Sequence, residues 1–179
     1  MSVNDKGIVD TLKECPENGF RMLMMKYQEP VYWHIRRMVV SHDDAQDASQ
    51  ETFVRIYRSF GNYRGDCSLR SWIYRIATNE ALRIISKRRQ DVVSIESETT
   101  GVNLIQGDDY IDFSDKVAVK LQKAILSLPP KQQLAFNMRY YDELEFDEIA
   151  KVADSTPTSI KASYHVAKEK IIKYMNSND

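Results

Sequence analysis

Apolar residues recur at intervals of three and four along most of the chain, and period-two alternation is scarce. That spacing predicts an all-α protein. FRMLMMKYQEPVYWHIRRMVV predicts one or two helices bent near Pro30, whose ring removes a backbone donor. SHDDAQDASQETFVRIYRSF predicts a helix with Ser41 as N-cap and with Asp43 and Asp44 in the first turn, where the helix dipole favours anions. GNYRGDCS reads as a loop, and SLRSWIYRIATNEALRIISKRR as a long helix with a basic C-terminal end. Further on, LPPKQQLAFNMRYY opens at a proline pair, FDEIAKVA is a short helix, and a last helix begins at Thr156-Pro157.

Two faces stand out on the long helix. At 100° per residue, Ile73, Ala77, Ala81 and Ile84 share one stripe, which predicts the core side. Trp72, Arg75, Asn79 and Arg83 share another. An aromatic ring, two guanidinium groups and a carboxamide suit nucleic acid: arginine pairs with phosphate, asparagine reads base edges, and tryptophan stacks. The alternative is a core tryptophan beside solvated arginines. The loop before this helix carries small and polar groups able to hold an extruded base.

The segment EFDEIAKVADSTPTSIKASYHVAKEKIIKYM has helix-turn-helix proportions. Phe146, Ile149, Ala150 and Ala153 give its first helix an apolar face, and Asp154-Ser155 makes the turn. Ile160, Tyr164, Ala167, Ile171 and Tyr174 form the core stripe of the second. Thr158, Ser159, Lys161, Ala162, Ser163 and His165 then fall near the helix start, the part that enters a major groove. A helical hairpin without a DNA role has the same pattern.

Composition is 42% hydrophobic and 28% charged, as in folded proteins. The formal net charge of −1 hides two opposed blocks. Residues 55–89 carry nine cations against two anions, and residues 91–115 carry seven anions and no Lys or Arg. The acidic block lacks periodicity and reads as a linker. Two helical domains are therefore expected, over residues 5–90 and 117–176, joined by an acidic linker over 91–116.

Asp44, Asp47 and Glu51 lie at i, i+3 and i+7, with Gln50 beside them. Three carboxylates suit either a protein-docking face or Mg²⁺, but a metal site needs convergent ligands from other elements. His34, His42 and His165 show no ligand spacing, and no nucleophile motif or phosphate loop is present, so no cofactor, small-molecule substrate or enzymatic activity is expected. Cys15 and Cys67 form no CxxC, which fits a reducing compartment. The polar N-terminal stretch lacks the signature of a signal peptide, and no run approaches the roughly 18 apolar residues of a membrane span. A cytoplasmic location is expected.

Taken in order, DAQDASQETFVRIYRSF, YRGDCSLRSWIYRIATNEAL and LPPKQQLAFNMRYYDELEFDEIAKVADSTPTSIKASYHVAKEK resemble the bacterial RNA polymerase sigma factors of the extracytoplasmic-function (ECF) group. The resemblance spans about Tyr27 to Lys173. It implies a promoter-specificity subunit with three partners: RNA polymerase core, promoter DNA and an anti-sigma factor. By position it implies that Asp44, Asp47, Gln50, Glu51 and Phe53 dock the polymerase clamp. It implies that Arg64, Asp66, Cys67 and Ser68 cradle a flipped base of the minus-ten element, while Trp72, Tyr74, Arg75, Asn79 and Arg83 hold the strand. The helix-turn-helix would read the minus-thirty-five duplex, and the acidic linker would thread the polymerase near its RNA exit path. Three departures stand out. Asp154 replaces a frequent glycine, which predicts a strained turn. Ser163 and Val166 stand where arginine is common, which predicts weaker phosphate affinity and altered base readout.

Overall fold

The computed structural model describes residues 4–93 and 115–177. Among these residues all regular structure is helical: α1 (Asp5–Glu14), α2 (Pro16–Val39), α3 (His42–Ser59), α4 (Leu69–Val93), α5 (Lys116–Leu126), α6 (Pro130–Tyr140), α7 (Phe146–Val152) and α8 (Pro157–Asn176), with a 3-10 turn at Phe60–Asn62. The all-α expectation holds. Most of the expected acidic linker lies outside the described residues, but its edges are helical: α4 runs on to Val93, and the Asp115 carboxylate caps α5 by accepting the Val117 and Ala118 N–H groups.

The first helix, which no motif in the sequence announces, is built from local chemistry. Asn4 Oδ1 accepts the Gly7 N–H at 2.7 Å, and Ile8 and Leu12 supply a buried edge. It ends at Cys15, whose extended backbone is what a residue before proline adopts. Chain reversal then lays α1 against α2 so closely that a Cβ on Gly19 would sit 2.4 Å from the Leu12 nitrogen. Only glycine permits that approach.

The expected bend at Pro30 does not divide α2, which continues as one helix through the proline. Leu23, Tyr27, Val31, Ile35 and Val39 keep one buried face on both sides of it, so packing holds the helix together where one backbone bond is missing. Ser41 caps α3 as expected, its hydroxyl accepting the Asp44 N–H at 3.4 Å. Ala45, Ala48, Phe53 and Ile56 of α3 and Ile73, Ala77 and Ala81 of α4 complete the first core. The predicted core stripe of α4 is thus the buried one.

In the C-terminal half α6 starts at Pro130 and α8 at Pro157, and Thr156 Oγ1 caps α8 by accepting the Ser159 N–H at 3.2 Å. Glu145 and Glu148 form a reciprocal capping box at the start of α7. Asp154 sits at φ 51, a left-handed conformation that disfavours residues with a Cβ, as its replacement of glycine led one to expect. Ile160, Ala167 and Ile171 are buried, and Tyr164 and Tyr174 partly so, in the expected stripe of α8.

The two halves pack against each other through α4 and α7 and through α2 and α6. Tyr74 of α4 belongs to a buried cluster otherwise made of C-terminal residues, among them Met138, Leu144, Ile149 and Ile160.

Candidate nucleic-acid and polymerase interfaces

The loop before α4 is held by short contacts. Tyr63 Oη donates to the Cys67 carbonyl at 2.8 Å, Gly65 takes φ 79, and Ser68 Oγ accepts the Ser71 N–H at 3.1 Å in the manner of a helix N-cap. Arg64, Asp66 and Ser68 are exposed, and Cys67 is half-buried. Trp72 is also half-buried, with ring centroids 5.3 Å from Tyr63 and 6.4 Å from Phe60. These three rings form a wall that supports the loop, so only part of Trp72 faces outward. Burial raises the pKa of the Tyr63 phenol and keeps it a hydrogen-bond donor.

Arg75, Asn79 and Arg83 are exposed on one side of α4, as the spacing predicted. Arg83 is not a freely swinging cation. Its Nε donates to Glu80 at 3.0 Å, and the same buried carboxylate accepts Arg55 Nε of α3 at 2.6 Å. Glu80 therefore neutralises part of the basic block and fixes the direction of Arg83. The i, i+3 spacing of Glu80 and Arg83 was the available signal for that pair.

Tyr74 requires a correction. Instead of facing a strand, it is 2% exposed and packs against the C-terminal half. Its ring centroid lies 4.9 Å from the His34 ring, and burial pushes its phenol pKa well above the ordinary value. The family resemblance placed Tyr74 with Arg75 on the strand, but the two point to different sides of the helix.

Around Tyr74 lies a network that the sequence did not disclose. Asp142, in the turn after α6, accepts from Arg37 Nη2 at 2.5 Å, and its other carboxylate oxygen is hydrogen-bonded to His34 Nδ1 at 2.8 Å. The other His34 nitrogen lies 2.8 Å from the Thr78 hydroxyl, and Arg70 donates to the Asp142 carbonyl. The Arg37 guanidinium stands 4.7 Å from the centre of the Tyr141 ring. Nothing in the linear pattern pairs positions more than 100 residues apart such as 37 and 142.

The acidic residues of α3 separate into two kinds. Asp44 pairs with Arg88, and Glu51 lies 3.3 Å from Arg55 Nε, so both are engaged by neighbouring cations. Asp47 and Gln50 are exposed. Among the described residues no three acidic, histidine or cysteine side chains converge as metal ligands. Phe53, expected to dock, is buried in the first core, yet it also forms the floor of a groove of about 1190 Å³ between α2 and α3. Phe20, Met24, Tyr32, Gln50, Val54 and Tyr57 line that groove, and Met25 stands 80% exposed at its rim.

In the helix-turn-helix, Thr158, Lys161, Ala162 and His165 are exposed on α8, while Ser159 and Ser163 are half-buried. Ser159 Oγ accepts from Lys131 Nζ at 2.9 Å, which adds a cation to this face from α6.

This combination of a helical bundle with an outward Arg/Asn face and a helix-turn-helix defines a promoter-recognition protein. Residues 23–91 match Sigma-70 region 2, and residues 118–171 match Sigma-70 region 4. The chain belongs to the sigma-70 family and is an ECF-group sigma factor, which directs RNA polymerase to promoters and starts transcription. It is similar to the RNA polymerase sigma-H factor of Pseudomonas aeruginosa, with 26% identity over 94% of this chain and 92% of that protein. It is also similar to the ECF RNA polymerase sigma-E factor of Salmonella typhimurium, with 28% identity over 94% and 93%. Two solved structures share the fold. One is the sigma factor RpoE in complex with the anti-sigma factor NepR from Bartonella quintana, with TM-score 0.70, 18% identity, and 89% and 98% of the two chains covered. The other is CnrH in complex with the cytosolic domain of CnrY, with TM-score 0.72, 14% identity, and 98% and 99% covered.

Proposed function

We propose a division of labour within this sigma factor. The α2–α3 groove, lined in part by Gln50, docks the polymerase core together with the exposed Asp47 of α3. The loop from Arg64 to Ser68 and the Arg75, Asn79 and Arg83 face of α4 take the unpaired strand of the minus-ten element. The exposed start of α8, from Thr158 to His165, reads the upstream duplex. Strand capture needs no covalent chemistry: base stacking is exchanged for contacts with rings and guanidinium groups, each worth about 1–3 kcal/mol.

The observation that carries this reading is the two-sidedness of α4. Ile73, Ala77 and Ala81 are fully buried, while Arg75, Asn79 and Arg83 on the opposite side are exposed. A helix with only a structural role has no need of a carboxamide between two arginines on its open face.

Two further parts of the proposal concern setting. Polymerase and promoters are cytoplasmic, and no helix among the described residues is long and apolar enough to cross a membrane. An anti-sigma protein is proposed as the restraining partner, supported by the two structures of similar fold, each solved with such a partner or a named cytosolic domain.

The test mixes the protein with core polymerase and a promoter library and maps open DNA with a single-strand-specific reagent. Promoter-specific opening supports the proposal. Duplex binding without polymerase and without opening points instead to a free-standing helix-turn-helix regulator.

A further inference from the structure

Between the two halves lies a cavity of about 370 Å³ that promoter recognition does not use. No residue lining it is among those proposed above to meet polymerase or promoter DNA. One wall comes from the N-terminal half: Met38 of α2 with Leu82 and Ile85 of α4. The other comes from α6 and from the turn before α8, with Leu134 and Ala153 as apolar members. Met38 and Ile85 pack on the first core, while Leu134 and Ala153 pack on a cluster of the C-terminal half. A molecule in the cavity would touch side chains anchored in both.

Asn137 gives this cavity its polar feature. It lies on the cavity side of α6, three residues after Leu134 and four after Gln133, which line the same space. The residue is 1% exposed, and neither its side-chain nitrogen nor its side-chain oxygen has a hydrogen-bond partner among the described residues. Burying a carboxamide with both ends idle costs stability, and an apolar residue of similar size would avoid that cost. The fold by itself has no use for the amide. Water could answer it, but water would leave the apolar wall of Met38, Leu82 and Ile85 without packing partners.

We infer that the cavity is a binding site for a compact cyclic amide, a lactam or cyclic dipeptide with an apolar body, and that Asn137 recognises its amide edge. An asparagine side chain presents a carbonyl acceptor and an N–H donor side by side. The complementary edge carries an N–H beside a C=O, and a cis amide held in a ring presents both on one side. The hydrocarbon part of such a ring then rests on Met38, Leu82 and Ile85. Lys131 and Asp154 also line the cavity with opposite charges, which favours a neutral ligand. A mostly apolar hollow of this size between two domains, with few polar groups to fix orientation, is the common form of a small-molecule site. The site stands independently of the strand-binding reading, because it draws on none of the same residues.

The test uses the full chain with caprolactam as probe. N-methylcaprolactam, close in shape but without the N–H, is the control. Binding is read by saturation-transfer NMR of the ligand and by shifts of the Asn137 side-chain amide resonances. Caprolactam is expected to move those resonances and to bind roughly ten-fold more tightly than its N-methyl form, the effect of one hydrogen bond to a buried group. Asn137→Leu should bind the two probes alike. Without ligand it should melt no lower than the unaltered chain, because the amide it loses has no partner. Equal binding of both probes by the unaltered chain overturns the inference and leaves only an apolar hollow. Absence of binding overturns it too, as does undiminished discrimination by Asn137→Leu. A clear loss of melting temperature in Asn137→Leu would mean that an internal water holds the amide, and this also overturns it. The comparison of the two probes on the unaltered chain is decisive whatever the variant does.

Discussion

Arg83 Nε donates to the Glu80 carboxylate at 3.0 Å, one turn back on the same helix, and that carboxylate is buried. Glu80 in turn accepts from Arg55 at 2.6 Å, so one acidic group ties α3 to the strand-facing side of α4. Its replacement by glutamine keeps the shape and removes the charge. We expect Glu80→Gln to cost about 1–3 kcal/mol in denaturant unfolding, because two guanidinium groups lose their charged acceptor. Strand binding should weaken along with it, through an Arg83 that no longer has a fixed direction.

Asn79 is exposed and has no part in the core, so its truncation should leave folding unchanged. Asn79→Ala is expected to relax minus-ten selectivity while polymerase affinity stays intact, as read by promoter-opening assays beside a pull-down with core enzyme. A fall in core affinity would place this residue on the wrong interface.

Asp47 is exposed, whereas Asp44 and Glu51 lie against cations of their own chain. Asp47→Lys should therefore reduce polymerase binding with little effect on melting temperature. Met25→Asp, at the apolar rim of the same groove, should do so too. Unchanged capture of core enzyme by both variants would remove the groove from the docking surface.

Gly19→Ala tests the packing of α1 on α2. The added Cβ meets Leu12 backbone atoms at 2.4 and 2.5 Å, and backbone cannot rotate away as a side chain can. A loss of about 1–3 kcal/mol is expected, the usual range for overpacking, seen as a lower denaturation midpoint.

Burial raises the Tyr74 pKa above its ordinary value of 10.0, so the phenol ionises more readily in any state that exposes it. The packed form then binds its proton more tightly than the exposed form. Its stabilising effect is complete below pH 10.0 and falls as pH rises above it. Alkaline titration followed by scattering should show the halves separating in that range. Tyr74→Phe should flatten this dependence.

Much of the architecture could be read from the sequence because it is local. Caps at Ser41 and Thr156, the core stripes of α4 and α8, and the proline starts of α6 and α8 all follow from residues within one or two turns. The left-handed turn at Asp154 was legible only through the family resemblance, in which glycine is frequent at that place. What the sequence hid was long-range. Pro30 looked like a break, but tertiary packing on both sides overrides one missing hydrogen bond. Tyr74 was assigned to the strand by family position, which does not say that its own helix turns it toward the C-terminal half. The Asp142 network joins residues from α2, α4 and the turn after α6, and no spacing rule connects them.

The Asp142 turn concentrates the polar contacts between the halves on one residue. His34, Arg37 and Arg70 all end on it, so the seam has a single latch whose loss frees three partners at once.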